Sequence, residues 1–380
     1  MFELALALLP VAAASGWYVA SKYYKNTDNN STLDESKYFK GLNYLVNERS
    51  DKAIDVFVNL LEVDSETIEI HLALGTLFRK RGEVEKAIRL HQNLIARPEL
   101  KRLTRFEILN ELGMDYMHAG LLDRAEALFL ELEKHHEHRL NVTKQLLSVY
   151  LQEKEWERAI TYATKLSSID SQSQSVLLAH LHCEMALHFS HSHQTKEAKS
   201  YLKKALKFDA NCIRSNLINA QLAMEGAKYK VALDFLFSIK QQDIQFVPVF
   251  LELFLSCFDK LNKQNEKLQF LATIDAEVTS SMVTKAFVLT LDSQKGSEEA
   301  YTFLKTKVRN SPNLGNISVF SELLNIKSDD VDMEILSNSL RSIYHEQHHF
   351  HCKQCGFDSE KLNWMCPSCK SCGVVRPIFH

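Results

Sequence analysis

The chain opens on an apolar run. Leu4 to Ser21 is 18 residues without a charge, and as a helix it would be about 27 Å long, near the hydrocarbon thickness of roughly 30 Å. Pro10 is tolerated inside a membrane helix, and Trp17 and Tyr18 stand near one end, where aromatic residues favour the interface. A cleaved signal peptide is the competing assignment. It calls for a positive segment ahead of the run, whereas here Glu3 precedes it and the cations Lys22 and Lys25 follow. We therefore expect residues 1–21 to be a transmembrane anchor. The positive-inside rule then places the bulk of the chain in the cytoplasm. Residues 22–36 (KYYKNTDNNSTLDES) are polar and read as a tether. From 37 to 344, apolar residues recur at helical spacing and predict a helical array.

Within the array an alanine recurs at Ala53, Ala87, Ala125, Ala159, Ala198, Ala232 and Ala300, at intervals of 34, 38, 34, 39, 34 and 68 residues. Twelve residues before it stand Gly41, Gly75, Gly113, Leu147, Ala186 and Ala220; nine before it stand Tyr44, Phe78, Tyr116, Tyr150 and Phe189. Phe57 and Phe129 stand four after it, with Leu202, Leu236 and Leu304 in other copies. This pattern resembles the tetratricopeptide repeat, a pair of antiparallel helices in about 34 residues. Small residues let the two helices of a pair approach, and aromatic ones fill the gap to the next copy. No single pair can bury its apolar face, so the copies are expected to stack into an all-α superhelix of about eight repeats. The seventh copy is degenerate, with Glu266 at the alanine position, and the eighth ends at Pro312. Such an array presents a concave face to peptides or proteins. The histidines at His135, His136, His138, His188, His191 and His193 lack carboxylate or thiol partners in sequence and are assigned to solvated turns.

Composition agrees with helices. Glycine (11) and proline (6) are few for 380 residues, too few for a turn-rich β fold. The net charge of −3, with no long basic stripe, does not indicate a nucleic-acid partner. No Ser/His/Asp set, paired carboxylates or Gly-rich phosphate loop is evident, so an enzyme is not expected.

Cysteine usage changes the picture at the C-terminus. Of eight cysteines, Cys183, Cys212 and Cys257 are scattered through helical sequence and read as small buried hydrophobes, whereas five fall from Cys352 onward. Cys352-x2-Cys355 and Cys366-x2-Cys369 are ten residues apart. Two such knuckles offer four soft thiolates that close a tetrahedron around Zn²⁺ or Fe. The predicted site is one metal ion held by Cys352, Cys355, Cys366 and Cys369 in a domain over 345–380. Gly356 supplies the positive φ expected after a knuckle. Cys372, His348, His349 and His351 are ranked as bystanders, since a closed site needs only four ligands. The motif resembles a rubredoxin knuckle, except that Lys370 stands where a second glycine would and the segment between knuckles is shorter than in electron-carrying rubredoxins.

Anchor, array and knot in this order, with LLPVAAASGWY at 8–18, HLALGTLFRKRGEVEKAIRLHQNL at 71–94, LGMDYMHAGLLDRAE at 112–126 and CPSC followed by PI at the end, resemble the lipopolysaccharide assembly protein B family. Cys372-Gly373 in the tail departs from that pattern. The resemblance implies an adaptor of the bacterial inner membrane, facing the cytoplasm. It would limit lipid A synthesis by promoting proteolysis of the committed-step deacetylase through a membrane-bound ATP-dependent metalloprotease. It also implies iron at the four cysteines, zinc being the alternative, and other lipopolysaccharide assembly proteins as partners. Two further expectations stand beside it: a membrane-tethered scaffold for lipopolysaccharide synthesis or export proteins, and an iron tetrathiolate electron carrier.

Overall fold

The small-residue offsets turn into packing in a computed structural model of the chain. It describes residues 65–98, 100–135, 139–169, 174–327, 331–345 and 350–379, and eight single earlier positions (15, 17, 18, 22, 40, 41, 44 and 56). The anchor expected at 1–21, the tether at 22–36 and most of the first repeat lie outside these residues. Among the described residues no helix is long and apolar enough to cross a membrane.

Two compact units divide the chain, 1–149 and 150–380. The described helices run in antiparallel pairs: α1 Ser65–Lys80 with α2 Val84–Ile95, and α3 Arg102–His118 with α4 Leu122–Glu133. Next come α5 Arg139–Glu153, α6 Trp156–Ile169, α7 Ser175–His191, α8 Thr195–Phe208, α9 Ile213–Glu225 and α10 Tyr229–Gln242. After two 3₁₀ turns, Ile244–Phe246 and Pro248–Phe250, the chain continues as α11 Leu251–Lys260 and α12 Gln264–Glu277. It ends its helical part with α13 Ser281–Lys295, α14 Ser297–Asn310, α15 Leu314–Lys327 and α16 Val331–His345.

The recurring alanines Ala87, Ala125, Ala159, Ala198, Ala232 and Ala300 are all fully buried. The glycines twelve residues earlier have a specific cause. A Cβ on Gly75 would lie 2.3 Å from the His91 ring, and one on Gly113 would lie 2.7 Å from the Phe129 ring. His91 and Phe129 are the residues four after the alanine, so the glycine of the first helix makes room for a ring on the second. Where that ring is a leucine instead, at Leu202 and Leu236, the facing positions are Ala186 and Ala220, all four buried.

The turns within the pairs from α1–α2 to α9–α10 close the same way, whereas α13 passes to α14 through Gly296, four before Ala300. The residue five before the alanine has positive φ: Gly82, Gly120, Lys154, His193 and Ala227. The next backbone N–H reaches back to the carbonyl nine before the alanine, as in Glu83 to Phe78 (2.9 Å), Leu121 to Tyr116 (2.9 Å) and Gln194 to Phe189 (2.9 Å). This is the Schellman closure of a helix C-terminus. It also re-registers the degenerate seventh copy. There Asn262 takes the positive φ and Lys263 N–H bonds to the Phe258 carbonyl. The alanine position is therefore Lys267, not Glu266; its ammonium bonds Asp259 at 2.8 Å.

In the first unit a buried polar network ties α1, α2 and α3. Arg79 reaches Asp115 at 2.7 Å and Glu111 at 2.6 Å, while His91 Nδ1 meets Asp115 at 2.5 Å. In the second unit one apolar cluster runs from Ile213 on α9 to Val319 on α15, and Leu362, Trp364 and Phe379 of the tail pack against it.

Candidate metal centre

Residues 350–379 build a three-stranded antiparallel sheet in the order β2-β1-β3, with β1 Phe350–Cys352, β2 Asp358–Ser359 and β3 Val375–Pro377. Phe350 pairs with Ser359 on one side and Pro377 on the other. Two knuckles project from this sheet, and they repeat one another. Gly356 N–H donates to the Cys352 carbonyl and Lys370 N–H to the Cys366 carbonyl, both at 2.9 Å. Cys352 N–H donates to the Phe357 carbonyl (2.8 Å) and Cys366 N–H to the Ser371 carbonyl (2.9 Å). The position after each second cysteine is left-handed, φ 77° at Gly356 and 59° at Lys370. Lys370 thus adopts the glycine conformation, which costs an L-residue on the order of 1 kcal/mol.

The knuckles bring the four predicted thiols together, all within 4.8 Å of one another. Two edges, Cys352–Cys369 at 3.8 Å and Cys355–Cys366 at 3.6 Å, match the edge of about 3.8 Å of a tetrahedron with metal–sulfur bonds of about 2.3 Å. Cys352 and Cys366 are buried, Cys369 is half-buried and Cys355 is exposed. The surroundings differ from thiol to thiol. The Phe357 N–H holds Cys355 below the ordinary thiol range, and the Ser371 N–H and hydroxyl draw Cys369 down to about 6. Burial pushes Cys352 up to about 11. A cation at the centre would keep all four deprotonated together. Donor type, number and spacing fit a four-coordinate thiophilic ion, and the four ligands leave no open position for substrate. Cys372 lies outside the cluster, opposite Met365 in a β-bridge, and burial pushes its thiol up to about 12.

The knot is seated on the array rather than hanging from it. The Trp364 ring stacks at 6.3 Å from Phe246 and 6.5 Å from Phe250, with planes 9° and 17° apart. His180 lies 6.1 Å from it, and the Arg214 guanidinium sits over the ring at 5.9 Å. Arg214 is itself held by Glu184 at 2.8 Å. Arg376 pairs with Asp243 at 3.4 Å and lies over Phe246. Gly373 fits against α7, where a Cβ would stand 3.3 Å from Val176. His180 is buried, and burial, with Arg214 nearby, lowers it to about 4.

Over its whole length the chain is 32% identical to lipopolysaccharide assembly protein B of Escherichia coli strain K12, of which it covers 98%. It is 30% identical to the protein of that name from Haemophilus influenzae, covering 99%. The chain belongs to the lipopolysaccharide assembly protein B family. A tetratricopeptide repeat family model also matches residues 70–103, which hold most of α1 and all of α2. A tetratricopeptide repeat protein from Parabacteroides merdae aligns with 69% of the chain and 98% of its own, at 16% identity and a TM-score of 0.36. That likeness is too distant to add to the assignment.

Several residues of the family member's seat were not singled out in the sequence. His180 and His182 are buried. Of the six histidines assigned to solvated turns, His188 and His191 are exposed but within α7, His193 is exposed in the turn after it, His135 is half-buried beside Arg102 (3.1 Å), and His136 and His138 lie outside the described residues. Trp364, Phe246, Phe250, Arg214 and Arg376 carried no sequence signal, because each gains its role from a partner far along the chain. Cys183 and Cys212, read from the sequence as small buried hydrophobes, are buried, and their sulfurs stand 3.8 Å apart.

Proposed function

We propose that the chain is a non-enzymatic adaptor acting in lipopolysaccharide assembly, anchored in the bacterial inner membrane by residues 1–21 with its array in the cytoplasm. In this role it presents the committed-step lipid A deacetylase to a membrane-bound ATP-dependent metalloprotease. The family's name and the repeat fold support a role in assembling proteins, and a closed four-thiolate site favours a structural ion over a reacting one. Cys352, Cys355, Cys366 and Cys369 ligate that ion, iron by the family resemblance and zinc as the alternative.

The observation that carries the proposal is the seating of the knot through Trp364 on Phe246 and Phe250. A metal-folded piece that shares its core with a repeat array adds to a docking surface. Tethering two partners to that surface near the membrane raises their effective concentration. Depleting the protein in its host and following the deacetylase by immunoblot tests this. The deacetylase is expected to accumulate; an unchanged level with normal lipopolysaccharide would sink the proposal.

A further inference from the structure

We infer that Cys183 and Cys212 form a redox pair that closes into a disulfide on exposure to a hydroperoxide. Their sulfurs are 3.8 Å apart in the second unit, in hydrogen-bonding contact and away from the metal cluster. Cys183 lies in the middle of α7 and Cys212 is the N-cap of α9, a helix of 13 residues. A third buried thiol, Cys257, lies among apolar side chains of the neighbouring cluster, and burial alone raises it. The pair differs from it in setting two thiols at hydrogen-bonding distance, one of them on the N-cap residue of a helix. Contact with the Cys183 thiol holds Cys212 below the ordinary thiol range, while the Ser215 N–H bonds the Cys212 carbonyl at 3.1 Å. Cys183 is pushed up by the same thiol contact and by burial. One thiol is thus set to attack and the other to resolve.

Access is short. Ala210 and Asn211, immediately before Cys212, are exposed, and the turn there is held by three bonds: Cys212 N–H to the Asp209 carbonyl (3.1 Å), Asn211 N–H to Asp209 Oδ1 (3.0 Å) and the Gln242 amide to the Ala210 carbonyl (2.8 Å). Fraying of that turn opens Cys212 to a small oxidant without unfolding α9. The thiolate of Cys212 attacks the hydroperoxide, a sulfur–oxygen bond forms as the oxygen–oxygen bond breaks, and the alkoxide or hydroxide that leaves takes the Cys183 proton to become alcohol or water. The Cys183 thiolate then attacks the Cys212 sulfenic acid, and hydroxide leaves as the sulfur–sulfur bond forms. Overall two thiols and one hydroperoxide give one disulfide, one alcohol or water, and one further water.

The location gives the step a consequence. Glu184 follows Cys183, and Arg214 is two residues beyond Cys212. The Glu184–Arg214 ion pair therefore spans the same two helices as the thiols, and Arg214 lies over Trp364 of the knot. Drawing the sulfurs from 3.8 Å to about 2.05 Å moves the seat on which the knot rests.

The metal-loaded full chain is treated with hydrogen peroxide, quenched, denatured, alkylated and digested for mass spectrometry, with metal content measured in parallel. The expected result is a Cys183–Cys212 cross-linked peptide pair, reversed by dithiothreitol, formed while the metal is still bound. In Cys212→Ser, oxidation of Cys183 should fall at least about tenfold. In Cys183→Ala, which keeps the attacking thiol and removes the resolving one, Cys212 should be trapped as a sulfenic acid by dimedone. Full alkylation of both cysteines after the metal has been lost would overturn the inference. So would undiminished oxidation of Cys183 in Cys212→Ser, or failure of dimedone to label Cys212 in a folded Cys183→Ala.

Discussion

A glycine in the middle of a helix costs about 1 kcal/mol against alanine, so Gly113 needs a reason, and the Phe129 ring supplies one. A methyl at Gly113 would stand 2.7 Å from that ring, closer than real contacts allow. Gly113→Ala should therefore lower stability by about 1–3 kcal/mol, because overpacking outweighs the gain in helix propensity. The relation between Ala186 and Leu202 elsewhere in the array shows the remedy. The double variant Gly113→Ala with Phe129→Leu copies that pair and should recover most of the loss, which denaturant unfolding of the three proteins would measure as a coupling energy. Strictly additive losses would show that the ring is not what excludes the methyl. Lys370 makes the complementary point. It takes a glycine's backbone conformation because the metal knuckle dictates it, so its departure from the expected motif leaves the geometry intact.

At the scale of elements, the repeat was legible because its signals are local. An alanine, a small residue twelve before it and an aromatic nine before it sit at fixed offsets that a single helix pair enforces. The turns were not read from the sequence: Gly82 and Gly120 were not singled out, and Lys154, His193 and Ala227 adopt the same positive φ without a glycine to mark it. The one-residue shift of the seventh copy was hidden for that reason, since Asn262 marks its turn and Lys267 fills the alanine site. The four-cysteine cluster was legible for the same reason as the repeat, two short spacings. The seat beneath it was not, because Trp364 finds His180, Arg214, Phe246 and Phe250 only after the array has folded. Those contacts make Trp364 one hold of the knot on the helices, beside Leu362, Phe379 and the Arg376–Asp243 pair. Trp364→Ala should cost roughly 2–4 kcal/mol in thermal or denaturant unfolding. It should leave the metal bound, because the ring is not part of the sulfur cage. Metal loss in a Trp364→Ala protein whose array stays folded would mean that seat and cage are one unit.

Taken whole, the second unit joins a helical array that packs on itself to a tail that cannot. The tail's strands are three, two and three residues long, and its own buried cluster consists of Phe350, Cys352, Cys366 and Val375, two of them thiols. A piece of that size lacks the core to fold alone and depends on a staple. The helices below it are held by their own pairing and do not. Removing the ion with a strong chelator at neutral pH should therefore act unequally. Far-UV circular dichroism should keep its helical signal, because α7 to α16 lose no intrahelical bonds. Thermal stability should fall, since the apolar face around Phe246 and Phe250 is uncovered along with Trp364. A dye that binds exposed apolar surface should gain signal, and limited proteolysis should cut within 350–379 before it cuts the array. Restoring the ion should reverse all three, as binding free energy here is folding free energy. A chelated protein whose tail resists protease as well as the loaded one would show that the seat on the array, not the ion, holds the knot together.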